Sequence, residues 1–203
     1  MRLIATGLAC VRSGREVFAG LDFVVSAGEA LVVLGRNGAG KSSLLRMVAG
    51  LVRVAAGRLA LEGGEAELTL AEQAHYVGHQ DAVKPALTVQ ENLEFWARYL
   101  GGGARALPDV SLAALALDRL AGLPAAYLSA GQKRRLSLAR LVAVQRPIWL
   151  LDEPISALDA AAQDRLADLM RGHLAAGGII LAATHAPIGL EGVKELRLGG
   201  SGS

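Results

Sequence analysis

Gly35-Arg36-Asn37-Gly38-Ala39-Gly40-Lys41-Ser42 follows a short apolar run, Ala30 to Leu34, and leads into a stretch where Lys41, Leu44, Leu45 and Val48 recur at helical spacing. The octet fits G-x-x-x-x-G-K-[ST], a pattern in which each fixed position has a physical task. Glycines let backbone N–H groups turn inward around phosphate oxygens, Lys41 reaches the β- and γ-phosphates, and the Ser42 hydroxyl is a ligand for Mg²⁺. The positive end of the following helix adds to the same field. The alternative reading is an ordinary glycine-rich turn, but the full octet is rare by chance and its strand-loop-helix setting favours the phosphate reading further. Gly35, Arg36, Asn37, Gly38, Ala39, Gly40, Lys41, Ser42 and the neighbouring Ser43 are the expected nucleotide contacts.

Moving outward, Ile148-Trp149-Leu150-Leu151-Asp152-Glu153 reads as an apolar strand ending in two carboxylates. Beside a phosphate loop, Asp152 would hold Mg²⁺ through water or through Ser42, and Glu153 would orient or deprotonate the attacking water. Successive side chains on a strand face opposite ways, so the two acids need not share a role. By itself, Asp-Glu-Pro is more simply a helix N-cap after a strand. Ile179 to Ala183 is a further apolar run followed by polar residues. Such runs alternating with helix-like stretches predict an α/β fold with a mostly parallel sheet, buried on both faces and flanked by helices. Polar groups at the strand ends would converge in one crevice. Between about Pro85 and Tyr127 the text is helix-like, carries the breaker Gly101-Gly102-Gly103 and shows no convincing strand, so a helical insertion is expected.

Composition sets limits on the class. A chain of 203 residues, 52% hydrophobic and 20% charged, suits one large globular domain, residues 1–203. Apolar stretches such as Leu174 to Thr184, bounded by His173 and His185, fall well short of the roughly 18 residues that span a bilayer, and the N-terminus lacks the apolar core of a secretory signal, so a cytoplasmic setting is expected. Cys10 is the single cysteine, which excludes a disulfide framework or a cysteine cage for a metal. The net charge of +2 and the lack of a basic run beyond Lys133-Arg134-Arg135 speak against a nucleic-acid partner. The short Gly199 to Ser203 end reads as frayed.

A loop and an acid pair identify a nucleotide but not a task. Leu128-Ser129-Ala130-Gly131-Gln132, ahead of a basic helix from Lys133 to Val144, resembles the signature of ABC-type ATPases, although Ser129 alone would read as a helix cap. Gln80 is similar to that family's Q-loop glutamine, Ser156-Ala157-Leu158-Asp159 to its D-loop, and His185 to its switch histidine. The resemblance implies a P-loop NTPase of ABC ATPase type, with an antiparallel β part near the N-terminus and a helical insertion. It also implies a core of 1–80 and 145–203 with a helical subdomain at about 81–144. In that family two copies pair head to tail, and the signature of one closes over the ATP of the other. Glu153, His185 and Gln80 would then be catalytic; Ser129, Gly131, Gln132 and Asp159 would contact nucleotide or cross the interface; Ser42, Gln80 and Asp152 would hold Mg²⁺. One departure is Ser13 before Gly14, where many members stack an aromatic residue on adenine, so base selectivity is expected to be loose.

Cys10, Arg12, Gly14, Arg15, Phe18, Gly20-Leu21, Phe23 and Gly28-Glu29-Ala30-Leu31 resemble the opening of the haem exporter ATPases of cytochrome c maturation. Gly78-His79-Gln80, Pro85, Leu87-Thr88, Glu91-Asn92-Leu93, Phe95-Trp96, Ala130, His173-Leu174-Ala175, Gly177-Gly178 and Thr184-His185 extend the likeness over nearly the whole chain. Arg36, Ile155 and Ala186 depart from it. The resemblance implies a homodimeric ATPase subunit using ATP and Mg²⁺, peripheral on the cytoplasmic face of the inner membrane and docked on integral membrane permease subunits. It implies neither a nucleic-acid partner nor haem bound directly by this chain; Cys10, His75 and His79 read as sheet and loop residues. Leu87, Val89, Leu93 and Trp96 are docking or core residues. Two alternatives remain: an ABC subunit with another cargo, and a soluble ABC ATPase acting on DNA or ribosomes, whose relatives carry a coiled-coil insertion or two fused domains that are missing here.

Overall fold

Apolar side chains alternate along Arg2–Arg12 (β1), where Leu3, Ala5 and Leu8 are buried, and the strand pairs antiparallel with Arg15–Ser26 (β2). The two-residue connection, Ser13-Gly14, has both residues at positive φ, 49° and 76°, which matches the twist of a tight hairpin. Ala30–Leu34 (β3) leads into the helix Lys41–Val48 (α1). Ala56–Glu62 (β4) adds antiparallel to β1, giving a three-stranded sheet in the order β2-β1-β4. Ala74–Val77 (β5), Ile148–Asp152 (β6), Ile179–Ala183 (β7) and Lys194–Arg197 (β8) complete a five-stranded sheet in the order β5-β6-β7-β3-β8. Every pairing in that sheet is parallel. The expected α/β class, with its parallel sheet and separate antiparallel part, is what the chain adopts.

This computed structural model describes residues 1–101 and 108–199. Gly102 and Gly103 of the expected breaker, and residues 200–203 of the expected frayed end, lie outside the described residues. The chain divides into two compact units: residues 1–78, 147–154 and 170–203 form one, and 79–146 with 155–169 form the other. The first holds both sheets and α1. All five positions of β6 and of β7 are buried, as continuous apolar runs in a parallel sheet require. Leu31, Val33, Leu44, Leu45, Ile148, Leu150, Ile179 and Leu181 join Leu3, Leu8, Cys10 and Val25 in one core. Trp149 stacks on His173 at 4.0 Å between ring centroids, and burial pushes the His173 imidazole below its ordinary value.

The second unit is helical. Val89–Tyr99 (α2) begins with a capping box in which the Thr88 hydroxyl accepts from the Glu91 N–H while the Glu91 carboxylate accepts from the Thr88 N–H. Pro108–Ala114 (α3) and Ala130–Ala143 (α4) pack with it, and Ala160–Ala175 (α5) contributes its first ten positions, Ala160 to Leu169. Val89, Leu93, Leu112, Leu115, Leu117, Leu138 and Leu141 are fully or almost fully buried. Val89 and Leu93 are therefore core residues, while Leu87 and Trp96 are half-buried. Buried Asn92 fastens the preceding loop, its amide donating to the carbonyls of Lys84, Leu87 and Thr88. Two arginines of α4 are buried here. Arg134 pairs with Asp81 at 3.2 Å, and Arg140 lies over the Trp96 ring with its Nη2 on the Ser137 hydroxyl, burial bringing its pKa down to about 10.

Candidate functional site: a phosphate loop beneath an acid pair

The loop leaves β3 at Leu34 and enters α1 at Lys41, with Gly40 as N-cap in the left-handed region at φ +101°. A Cβ at Gly40 would come within 2.6 Å of Val17 Cγ1, so both backbone and space demand glycine. No side chain caps α1, which leaves its first N–H groups directed at the loop's interior. Arg36, Asn37 and Gly38 are exposed; Gly35, Ala39, Gly40, Ser42 and Ser43 are half-buried.

Lys41 is buried and gives its ammonium hydrogens to Gly35 O at 2.7 Å, Arg36 O at 3.3 Å and His185 Nε2 at 2.9 Å. Donation from an ammonium requires a lone pair on Nε2, which sets the neutral His185 ring as its Nδ1–H tautomer. The 3.0 Å approach of the Asn37 side chain to the same Nε2 is then a hydrogen bond only with the amide nitrogen turned towards it. His185 follows β7 by two residues, its side chain half exposed, and Glu153 Oε1 stands 3.8 Å from Nε2.

Ser42 Oγ donates to Asp152 Oδ1 at 3.0 Å, joining the loop to the end of β6. The other oxygen, Oδ2, accepts from the Tyr76 hydroxyl at 3.3 Å, and that phenol oxygen accepts from Arg46 Nε at 3.0 Å. Burial is the main cause that raises the Tyr76 pKa, keeping it a phenol. Glu153 differs from the expectation of two acids on one strand. The strand ends at Asp152, and Glu153 turns into the left-handed region at φ +49°, its N–H held by Ala183 O at 2.8 Å. A non-glycine residue in that conformation costs about 1–3 kcal/mol, a strain that persists only where neighbours over-determine it. The turn, not strand alternation, separates the two carboxylates.

Gln80, Ser129, Gly131, Gln132 and Asp159 belong to the second unit. Gln80 is exposed and precedes Asp81, the partner of buried Arg134. Ser129, Gly131, Gln132 and Asp159 do converge, lining one concavity with Arg135 and Leu158. Ser129 N-caps α4 in a full capping box: its Oγ accepts from Gln132 N–H at 3.2 Å and its N–H donates to Gln132 Oε1 at 2.8 Å. α4 thus starts at Ala130, three residues before the expected Lys133. A Cβ on Gly131 would sit 2.8 Å from Ala157 O, so the D-loop backbone approaches only because the position is glycine. Asp159 Oδ1 accepts from Ala162 N–H at 2.8 Å and so caps α5.

Sequence reasoning missed Arg46 and Tyr76. Arg46 had a signal, since it follows Ser42 by four residues and shares its helix face. Tyr76 had none, because only the β5–β6 pairing brings it to Asp152.

With this geometry in place, a family model described as ABC transporter matches residues 18–156. The chain belongs to the ABC transporter family. It is an ATP-hydrolysing subunit of that family. It is 63% identical over 201 residues, covering 99% of this chain and 100% of the relative, to the cytochrome c biogenesis ATP-binding export protein CcmA of Nitrobacter winogradskyi. The protein of the same name from Mesorhizobium japonicum is 50% identical, with both chains covered in full. Among solved structures, an ATP-binding subunit of an ABC transporter superposes with a TM-score of 0.86 at 26% identity, over 98% of this chain and 86% of that one. A putative ABC transporter ATP-binding protein from Pyrococcus furiosus, at 20% identity and TM-score 0.80, shares the fold. Among the described residues no helix is long and apolar enough to cross a membrane.

Proposed function

We propose that this chain is the ATP-driven motor of a haem export system serving cytochrome c biogenesis. It would work as a homodimer, peripheral on the cytoplasmic face of the inner membrane and docked on integral permease subunits. The observation that carries the reading is the convergence of Lys41, Ser42, Asp152, Glu153 and His185 at the ends of β3, β6 and β7. Likeness to the cytochrome c biogenesis export proteins over the full chain supports the cargo.

The donor set fits Mg²⁺. The Ser42 hydroxyl and the Asp152 carboxylate are hard oxygens 3.0 Å apart, and because Ser42 gives its proton to Asp152, its lone pairs stay free for a metal. Mg²⁺ takes few protein ligands and completes its octahedron with water and phosphate oxygens, so two suffice. When bound, it neutralises charge on the β- and γ-phosphates.

The chain's own groups account for the rest. Lys41 exchanges its carbonyl partners for phosphate oxygens, and the uncapped N–H groups of α1 bind the phosphate chain. Glu153, held aside from Asp152 by its left-handed turn, accepts a hydrogen bond from the attacking water and aligns it. His185, already within 2.9 Å of Lys41, is in place to donate to the γ-phosphate once its tautomer changes. Ser129 and Gly131 of the second copy would close the site, the Ser129 hydroxyl keeping its proton to donate while its oxygen caps α4. Hydrolysis would reopen the dimer and drive the permease.

Deleting the gene in its host should abolish covalent-haem staining of c-type cytochromes, and the parent chain should restore it while Glu153→Gln does not. Normal c-type cytochromes in the deletion strain would overturn the cargo. Recovery of the chain from detergent extracts without any integral membrane protein would overturn the transport reading itself.

A further inference from the structure

Behind the loop runs a chain of contacts linking Arg46, Tyr76, Asp152 and Ser42. Arginine has donors but no acceptor, so where Arg46 Nε meets the Tyr76 oxygen at 3.0 Å the phenol must accept. Its single proton is thereby left for Asp152 Oδ2, 3.3 Å away, while Oδ1 takes the Ser42 proton. Asp152 is 2% exposed, so solvent has little part in orienting its carboxylate. Its two oxygens are held by different elements, Oδ1 by α1 through Ser42 and Oδ2 by β5 through Tyr76. Arg46 lies one helical turn beyond Ser42, so α1 supplies both ends of the chain.

We infer that Tyr76, oriented by Arg46, is a positioning residue for the metal site: it holds Asp152 Oδ2 and so fixes the carboxylate plane that turns Oδ1 and Ser42 towards Mg²⁺. The inference rests on the reading that Ser42 and Asp152 hold that metal. Hydrogen-bond partners behind a metal ligand typically change affinity by about 10–100-fold, because they set the ligand's orientation without touching the ion. Arg46 acts one step further back, through the direction of the phenol proton.

The test uses the full chain, with Mn²⁺ and ADP as the probe followed by electron paramagnetic resonance, beside the Mg²⁺ dependence of ATP turnover. Tyr76→Phe keeps the ring and removes the hydroxyl. It should weaken Mn²⁺ binding about tenfold and raise the half-saturating Mg²⁺ correspondingly. ADP binding in EDTA, and turnover at saturating Mg²⁺, should stay near the parent's. Arg46→Met should shift the metal dependence in the same direction, Arg46→Lys less, and Tyr76→Phe/Arg46→Met no more than Tyr76→Phe alone. Unchanged Mn²⁺ binding in Tyr76→Phe, or loss of ADP binding in EDTA along with it, would overturn the inference. Asp152→Asn separates the two levels: if it too leaves Mn²⁺ binding intact, the metal assignment fails, and if it alone weakens binding, only the role of Tyr76 does.

Discussion

The phosphate loop and the signature segment are both polar clusters at helix N-termini, yet they are completed in opposite ways. Around the loop, Lys41 meets His185 across 144 residues of chain and Ser42 meets Asp152 across 110. Around the signature, Ser129 and Gln132 satisfy each other three residues apart, and Asp159 caps the helix that begins beside it. The first cluster is assembled by the parallel sheet, which gathers the ends of three strands. The second is finished by local hydrogen bonds, and Ser129 at its head is exposed. A side chain that already caps its own helix needs no further intramolecular partner, which would suit the proposed meeting with a second copy.

That contrast can be broken at its strongest point first. Glu153→Gln should leave ATP binding intact and lower turnover by about 10³-fold, measured by steady-state hydrolysis against nucleotide titration, since an aligned base contributes about 10²–10⁴-fold. Turnover within tenfold of the parent would remove Glu153 from the chemistry. Ser129→Asp probes the other cluster. Aspartate caps a helix as well as serine does, so the thermal melt should hold. If position 129 meets a second copy's γ-phosphate, as proposed, the added carboxylate should still reduce turnover by about a hundredfold, as like charges brought together cost several kcal/mol. An unchanged melt with turnover preserved would make Ser129 a cap and nothing more. Lys41→Ala should weaken ATP binding by about 10–100-fold in equilibrium titration, the worth of a charge-assisted hydrogen bond at about 1.5–3 kcal/mol. The smallest effect belongs to Thr88→Ala, a capping box with no phosphate to meet. It should cost about 1 kcal/mol in denaturant unfolding and leave turnover unchanged, which calibrates the cap share of Ser129.

The loop, the acid pair and the signature were legible because each is contiguous, and a short motif carries its local geometry with it. So were β3, β6 and β7, whose apolar runs are bounded by polar residues. The start of α4 was placed three residues late, since Lys133 to Val144 looked like the helix and the capping box that begins it had been read chiefly as a ligand motif. Glu153 was placed on the strand because nothing in Leu-Asp-Glu-Pro announces a left-handed residue. In the fold, the Glu153 N–H is held by Ala183 O of the neighbouring strand, a contact that the sequence does not show.

By itself, then, the amino-acid order determined the class of fold, the phosphate-loop motif of Gly35 to Ser42 and the likeness to the ABC-type ATPases. These are properties of short segments and of hydrophobic periodicity, which need no knowledge of what folds against what. Only the tertiary structure decided that Lys41 rests on His185, that Glu153 is turned away from Asp152, and that Tyr76 and Arg46 stand behind the acid. Those depend on the strand order β5-β6-β7-β3-β8, which sets as neighbours residues that the chain keeps far apart. The loop supplies the donors, and the register of the sheet decides which side chains they meet.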